Sequence, residues 1–227
     1  MSLSSLICNI YIIYIKEKFN ISVNMANKNV YSINDLHSFI DFHIVNEELK
    51  RVLKAVINDY SDKIELATAG KYHHNYTGGL IDHTYGVASL CAKIVNHYDN
   101  IDISKDLLLA GAVLHDVGKI YDYGEKFNSM IKHNVSSSLI LEPYLKDSEL
   151  SERDKRALHN IILTHMQGPY EEDSKVAAVV TLEGVILRAA DTIDAFVIGA
   201  SKNLNACSEG CFYECGVLSR DLYKPEI

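Results

Sequence analysis

Residues 104–120 read SKDLLLAGAVLHDVGKI, and this stretch decides the fold. Ser104 is a residue type that caps a helix start, and the run LLLAGAVL that follows is apolar on every side. A helix with no polar face is central and buried. His115 and Asp116 come directly after it. An ionised carboxylate next to so dry a segment is costly unless it is paired or bound to a cation.

Working outward, apolar residues recur at helical spacing nearly everywhere. Ser32 precedes Leu36, Phe39, Ile40 and Ile44; Asn46 precedes Leu49, Val52, Leu53, Val56 and Ile57. Gly78-Gly79 break the chain before a third helix, expected over about residues 80–98. Further helices are expected over about 136–145, from Ser151 with its SERD capping pattern to the Gly168-Pro169 stop, and over about 178–203. Residues 176–181 could pass for a strand but lack alternation. The expected fold class is all-α, a helical bundle with histidines at helix ends.

Composition narrows the function. Lys and Arg total 22 against 30 Asp and Glu, a formal charge of -8, which argues against a broad basic surface for nucleic-acid backbone. Five cysteines, an odd number, do not read as a secreted disulfide framework; a reducing compartment, the cytoplasm, is expected. The apolar stretch from Leu3 to Ile15 is short of the roughly 20 residues of a membrane span and lacks signal-peptide flanks. It reads as a docking segment or an upstream extension, with Met25 a candidate alternative start. The expected division is an N-terminal extension over 1–30, the helical domain over 31–203 and a cysteine-containing tail over 204–227. Cys207, Cys211 and Cys215 are spaced by four but fit no zinc pattern, so a loosely packed tail is expected.

Four places set His or Asp against apolar helices: His83 in GLIDHTYGVASL, the His115-Asp116 pair, His165 in IILTHMQG and Asp191 in VILRAADTIDAF. Imidazoles and carboxylates together suit a first-row divalent ion. Each residue taken singly has a plainer reading. A lone His on an apolar face is usually bonded to a carbonyl, and Asp191 could pair with Arg188 three residues back. Four such places together favour a metal centre.

The order His83, His115-Asp116, Asp191 resembles that of the HD-domain metal-dependent phosphohydrolases. The segments HHNYTGGLIDHT, LAGAVLHDVGKI, IILTHMQG and EGVILRAADTIDAF are similar to the HD domain of YhaM-type 3'-5' exoribonucleases, over roughly residues 72–196. The resemblance implies helices converging on one or two metals. His83, His115, Asp116 and Asp191 would bind the first ion. His133 and His165 would add the second, with Asp116 bridging. Lys132 stands before His133 where the family usually has Gly, and Arg188 also departs from the common motif.

Such a centre would activate water and neutralise a phosphoryl group. Asp116, Lys119 and His74 are the expected catalytic groups, and His73, His74, Lys119 and Arg188 the expected substrate contacts. Lys119 could instead be a surface lysine at a helix C-terminus, and His73 and His74 exposed loop histidines. Gly78-Gly79 could offer free backbone N–H groups to an anion. His159 falls on a different helix face from His165 and is left out of the site. Mn2+ is the favoured cofactor, with Fe, Ni, Co, Mg or Zn as alternatives. The expected activity is a phosphodiesterase or 3'-5' exonuclease on short RNA or single-stranded DNA. Family members usually carry an N-terminal nucleic-acid-binding barrel, whereas residues 1–71 here read helical. The alternatives are therefore a hydrolase of nucleotides or nucleotide second messengers, and a non-catalytic HD-like binding module. The expected partner is a phosphate-containing small molecule or a short oligonucleotide, with no membrane; homo-oligomerisation is left open.

Overall fold

The apolar run ending at Leu114 becomes the helix around which the others pack. The computed structural model describes residues 30–121, 132–166, 181–204, 207–216 and 218–226. In chain order these form α1 (Ile33–His43), α2 (Glu47–Asp59), α3 (Ser61–Leu66), α4 (Gly79–His97), α5 (Lys105–Leu114), a 3-10 turn (Val117–Tyr121), α6 (His133–Lys146), α7 (Glu152–Thr164) and α8 (Leu182–Leu204). A hairpin of β1 (Phe212–Cys215) and β2 (Arg220–Tyr223) follows. The all-α expectation holds for the body of the chain.

Helix α5 packs against α1, α2, α4, α7 and α8, which explains why it carries no polar face. Leu108, Leu109, Ala110 and Ala112 are wholly buried. Each leucine so buried is worth roughly 1.5–3 kcal/mol of transfer free energy. The surrounding helices present stripes instead: Leu49, Val52, Leu53, Val56 and Ile57 line the inner face of α2. The predicted caps are present. Ser32 and Asp35 form a reciprocal capping box on α1. The Asn46 side chain accepts from Leu49 N, and that of Ser151 from Asp154 N. Ser104 precedes α5 but makes no side-chain cap bond; its own N–H donates to Glu183 of α8 instead.

Three expectations change. Helix α6 begins at His133, three residues before the predicted start, so His133 opens a helix rather than lying in a loop. The tail is not loosely packed: β1 and β2 pair antiparallel with Phe212 opposite Tyr223, and Cys215 is buried. Lys224 Nζ donates to the carbonyls of Leu204 and Cys207, tying the hairpin to the end of α8. Two amides at the Gly-Gly turn are already used, because Gly79 N donates to Tyr76 O and Leu80 N to Ala67 O. The expectations for residues 1–29, for Gly168-Pro169 and for most of the strand-like stretch lie outside the described residues. No helix among the described residues is long and apolar enough to cross a membrane.

Candidate metal centre

Five elements bring their polar residues to one point. His83 lies in the second turn of α4, His115 and Asp116 follow the last turn of α5, and His133 starts α6. His165 follows α7, and Asp191 sits on α8. His83, His115, Asp116 and His165 are essentially inaccessible to solvent.

Two of the histidines use the same local device. A helix ends with carbonyls that lack an intrahelical partner. His115 Nδ1 donates to Ala112 O at 2.8 Å at the end of α5, and His165 Nδ1 donates to Ile162 O at 2.7 Å at the end of α7. His83 Nδ1 donates to Asp194 Oδ2 at 2.7 Å. In all three rings Nδ1 carries a proton, which leaves Nε2 as the position for a second proton or a cation. The Nε2 atoms of His83 and His115 then face each other at 3.3 Å.

Asp116 occupies the meeting point. Its Oδ2 is 3.2 Å from His83 Nε2, 3.4 Å from His115 Nε2 and 2.5 Å from Lys119 Nζ. Its Oδ1 is 3.1 Å from His133 Nε2 and 3.7 Å from His165 Nε2. Asp191 Oδ1 lies 3.2 Å from His83 Nε2, so Asp191 faces His83 rather than pairing with Arg188. The side chains of Asp191 and His133 are 25% and 20% exposed and form the open edge of an otherwise closed site.

These donors fit a divalent cation. Nε2 of His165 is buried without a hydrogen-bond partner, and Asp116 Oδ1 faces that nitrogen and Nε2 of His133, a cost that a cation among them removes. The sets His83, His115, Asp191 and His115, Asp116, His165 each converge within 4.8 Å, as coordination requires.

The protonation balance follows from burial and neighbours. Burial opposes charge on His83, but Asp116, Asp191 and Asp194 outweigh it and hold its pKa well above the ordinary imidazole value. Burial also opposes charge on Asp116, where Lys119, His115 and His133 prevail and keep the carboxyl ionised. Burial and then His115 push His165 down to about 4, leaving it neutral.

Several expected residues are placed more finely than the sequence allowed. Lys119 is buried and turned onto Asp116, not a surface lysine. His73 is half-buried, with its ring 5.1 Å from that of His83 and its Nε2 buried without a partner. Burial, then the charges of His83 and Lys119, lower its pKa to about 4. His74 turns away from its neighbour's position. It is buried, with Nδ1 bonded to the Tyr76 hydroxyl at 3.1 Å and Nε2 to Asp194 Oδ2 at 3.0 Å. Nη1 of Arg188 is buried without a hydrogen-bond partner. His159 pairs with Glu142 and Ser138, away from the site. Sequence reasoning missed Asp194 and Asp82. The first lies three residues after Asp191 on the same helix, a spacing that puts both on one face.

The sequence model of the HD domain matches residues 80–195. Among curated proteins, the chain is similar to the 3'-5' exoribonuclease YhaM of Shouchella clausii. The identity is 26% over 205 residues, covering 86% of this chain and 63% of that protein. It is likewise 26% identical over 196 residues to the 3'-5' exoribonuclease YhaM of Bacillus velezensis, covering 81% of this chain and 60% of that protein. For the same-named protein of Listeria welshimeri the identity is 28% over 194 residues, 81% and 61% of the two chains. The chain thus spans about three fifths of the length of these relatives. No solved structure matches it. With the His-Asp pair at the end of its central helix and the matched residues running from α4 into α8, the chain belongs to the HD-domain family of metal-dependent phosphohydrolases.

Proposed function

We propose that this chain is a metal-dependent phosphodiesterase that removes nucleotides from the 3' ends of short RNA or single-stranded DNA. The observation that carries the proposal is the convergence of buried imidazole and carboxylate donors on Asp116, beside His73 Nε2 and Arg188 Nη1, which are buried without a hydrogen-bond partner. His83, His115, Asp116 and Asp191 are the proposed ligands of one ion, with His133 and His165 for a second; Mn2+ is the proposed ion. A bound divalent cation would supply Lewis acidity to water and to a phosphoryl oxygen.

The chain's own residues do the rest. Asp116 stays ionised and acts through its charge rather than as an acid. Lys119 Nζ, held against Asp116, neutralises phosphate charge at the closed side. Neutral His73 presents an unpartnered Nε2 that can hydrogen-bond a phosphate or leaving-group oxygen. Arg188, on α8 one turn before Asp191, offers a further cation.

Purified, Mn2+-loaded protein tested against 3'- and 5'-labelled oligonucleotides, mononucleotides and cyclic dinucleotides is expected to shorten the oligonucleotides from the 3' end. Turnover confined to mononucleotides or cyclic dinucleotides would move the assignment to a nucleotide hydrolase. No turnover of any member would point to a binding module.

Cation binding should depend on pH in a definite direction. His83 holds its proton more firmly than a free imidazole, and Nε2 must lose that proton to bind a cation. His165 is already neutral above about pH 4 and does not compete. Mn2+ affinity is therefore expected to rise with pH by up to about tenfold per unit, with about one proton released, until the raised pKa of His83 is passed. Calorimetry in buffers of different ionisation enthalpy reads both quantities. Affinity that is flat from about pH 6 to about pH 8 would count against the ligand role of His83.

A further inference from the structure

The nitrogen of His83 that faces away from the proposed ion is held by a hydrogen-bonded chain that the expected site did not include. Its Nδ1 meets Asp194 Oδ2 at 2.7 Å, and the same oxygen meets His74 Nε2 at 3.0 Å. His74 Nδ1 lies 3.1 Å from the Tyr76 hydroxyl, which donates to Asp82 Oδ2 at 2.6 Å. The Asp82 carboxylate accepts the backbone N–H groups of Val30 and Tyr31 at 2.8 to 3.1 Å. Asp194, His74 and Asp82 are all buried.

We infer that Asp194, braced by His74, is a positioning residue for the metal centre. Its carboxylate decides which nitrogen of His83 carries the proton, and the His74–Tyr76–Asp82 chain anchors it to the backbone at residues 30–31. The inference rests on the proposed ligand role of His83.

Three features support a built device rather than chance contact. When the ring is neutral, an Nδ1–H bonded to a carboxylate leaves the lone pair on Nε2, and a carboxylate behind a ligating His fixes both tautomer and ring orientation. His74 is held at φ 42, a left-handed conformation that residues other than glycine seldom adopt. Such conformations persist where surrounding contacts impose them. Finally, α4 carries Gly86 where α8 brings Asp194 closest. A Cβ there would lie 2.6 Å from Asp194 Oδ1, so any larger residue would push the carboxylate aside.

The test uses the full chain, MnCl2 as the only ligand, and NMR of the imidazole protons in the metal-free protein. In the wild type the His83 Nδ1 proton is expected as a slowly exchanging resonance downfield of the amides. Asp194→Ala should remove it while leaving those of His115 and His165, which are bonded to backbone carbonyls. Mn2+ affinity should fall about 10–100-fold. Asp194→Asn keeps an acceptor and should restore the resonance and part of the affinity. Gly86→Ala, which favours the helix but displaces the carboxylate, should behave like Asp194→Ala, and it answers the question if Asp194→Ala does not fold. An unchanged His83 resonance, or Mn2+ affinity within about twofold of wild type in both Asp194→Ala and Gly86→Ala, overturns the inference. Wild-type protein that binds Mn2+ yet cleaves no phosphoester overturns the functional proposal alone; wild-type protein that binds no Mn2+ overturns both.

Discussion

Asp116→Ala is expected to abolish tight Mn2+ binding and to lower phosphodiester hydrolysis by about 10^3-fold or more. Asp116 lies within 3.7 Å of His83, His115, His133, His165 and Lys119 together. Without it the site keeps Asp191 and its ring nitrogens but loses the carboxylate that all of these groups face, while the Lys119 ammonium remains to oppose a cation. Residues behind metal ligands typically cost 10–100-fold when removed, and a ligand shared by two ions costs more. The replacement also takes the counter-charge from buried Lys119, so stability should fall, and circular dichroism is used to confirm that the helices persist. Asp191→Asn, at the open edge, should weaken binding less. Full activity in Asp116→Ala would mean that the site is elsewhere.

The second large effect concerns Gly118. The turn after His115-Asp116 is clamped by the start of α6: Gly118 N donates to Ser137 Oγ at 2.8 Å, and that hydroxyl donates to His115 O at 2.7 Å. A Cβ on residue 118 would stand 2.3 Å from His133 O and 2.6 Å from Ser137 N. Both are backbone atoms, so the strain cannot be relieved by turning a side chain. Gly118→Ala is expected to lose about 3 kcal/mol of stability, at the upper end for overpacking. It should also move His133 away from Asp116. Urea unfolding reads the first effect, and Mn2+ stoichiometry at saturation the second. Wild-type stability with an unchanged metal count would show that α6 does not need this close approach.

The parts of the fold that were legible are those in which one-dimensional pattern and burial coincide. The uniformly apolar α5 announced itself as central, and the Ser32, Asn46 and Ser151 caps sit where local chemistry requires. The hairpin was not legible because four-residue strands are too short to show alternation, and its stability comes from Lys224 and the end of α8. His83, His115, Asp116, His165 and Asp191 stood out because buried His and Asp in apolar helices are expensive, whereas His133 came from the family resemblance alone. Their supporting groups did not stand out. Nothing in the pair His73-His74 says which ring turns inward; that depends on the left-handed backbone of His74 and on Asp194, 120 residues away in sequence. Asp82 was equally hidden, since its partners are backbone amides of the segment before α1.

The most direct measurement is a crystal structure of protein soaked in MnCl2, with anomalous diffraction data collected to locate the ion. The account predicts an anomalous peak within coordination distance of Nε2 of His83 and His115 and of carboxylate oxygens of Asp116 and Asp191. A second ion, if bound, should lie on the side of His133 and His165. Imidazoles turned outward around an unoccupied Asp116, or manganese found only at surface carboxylates, would contradict it.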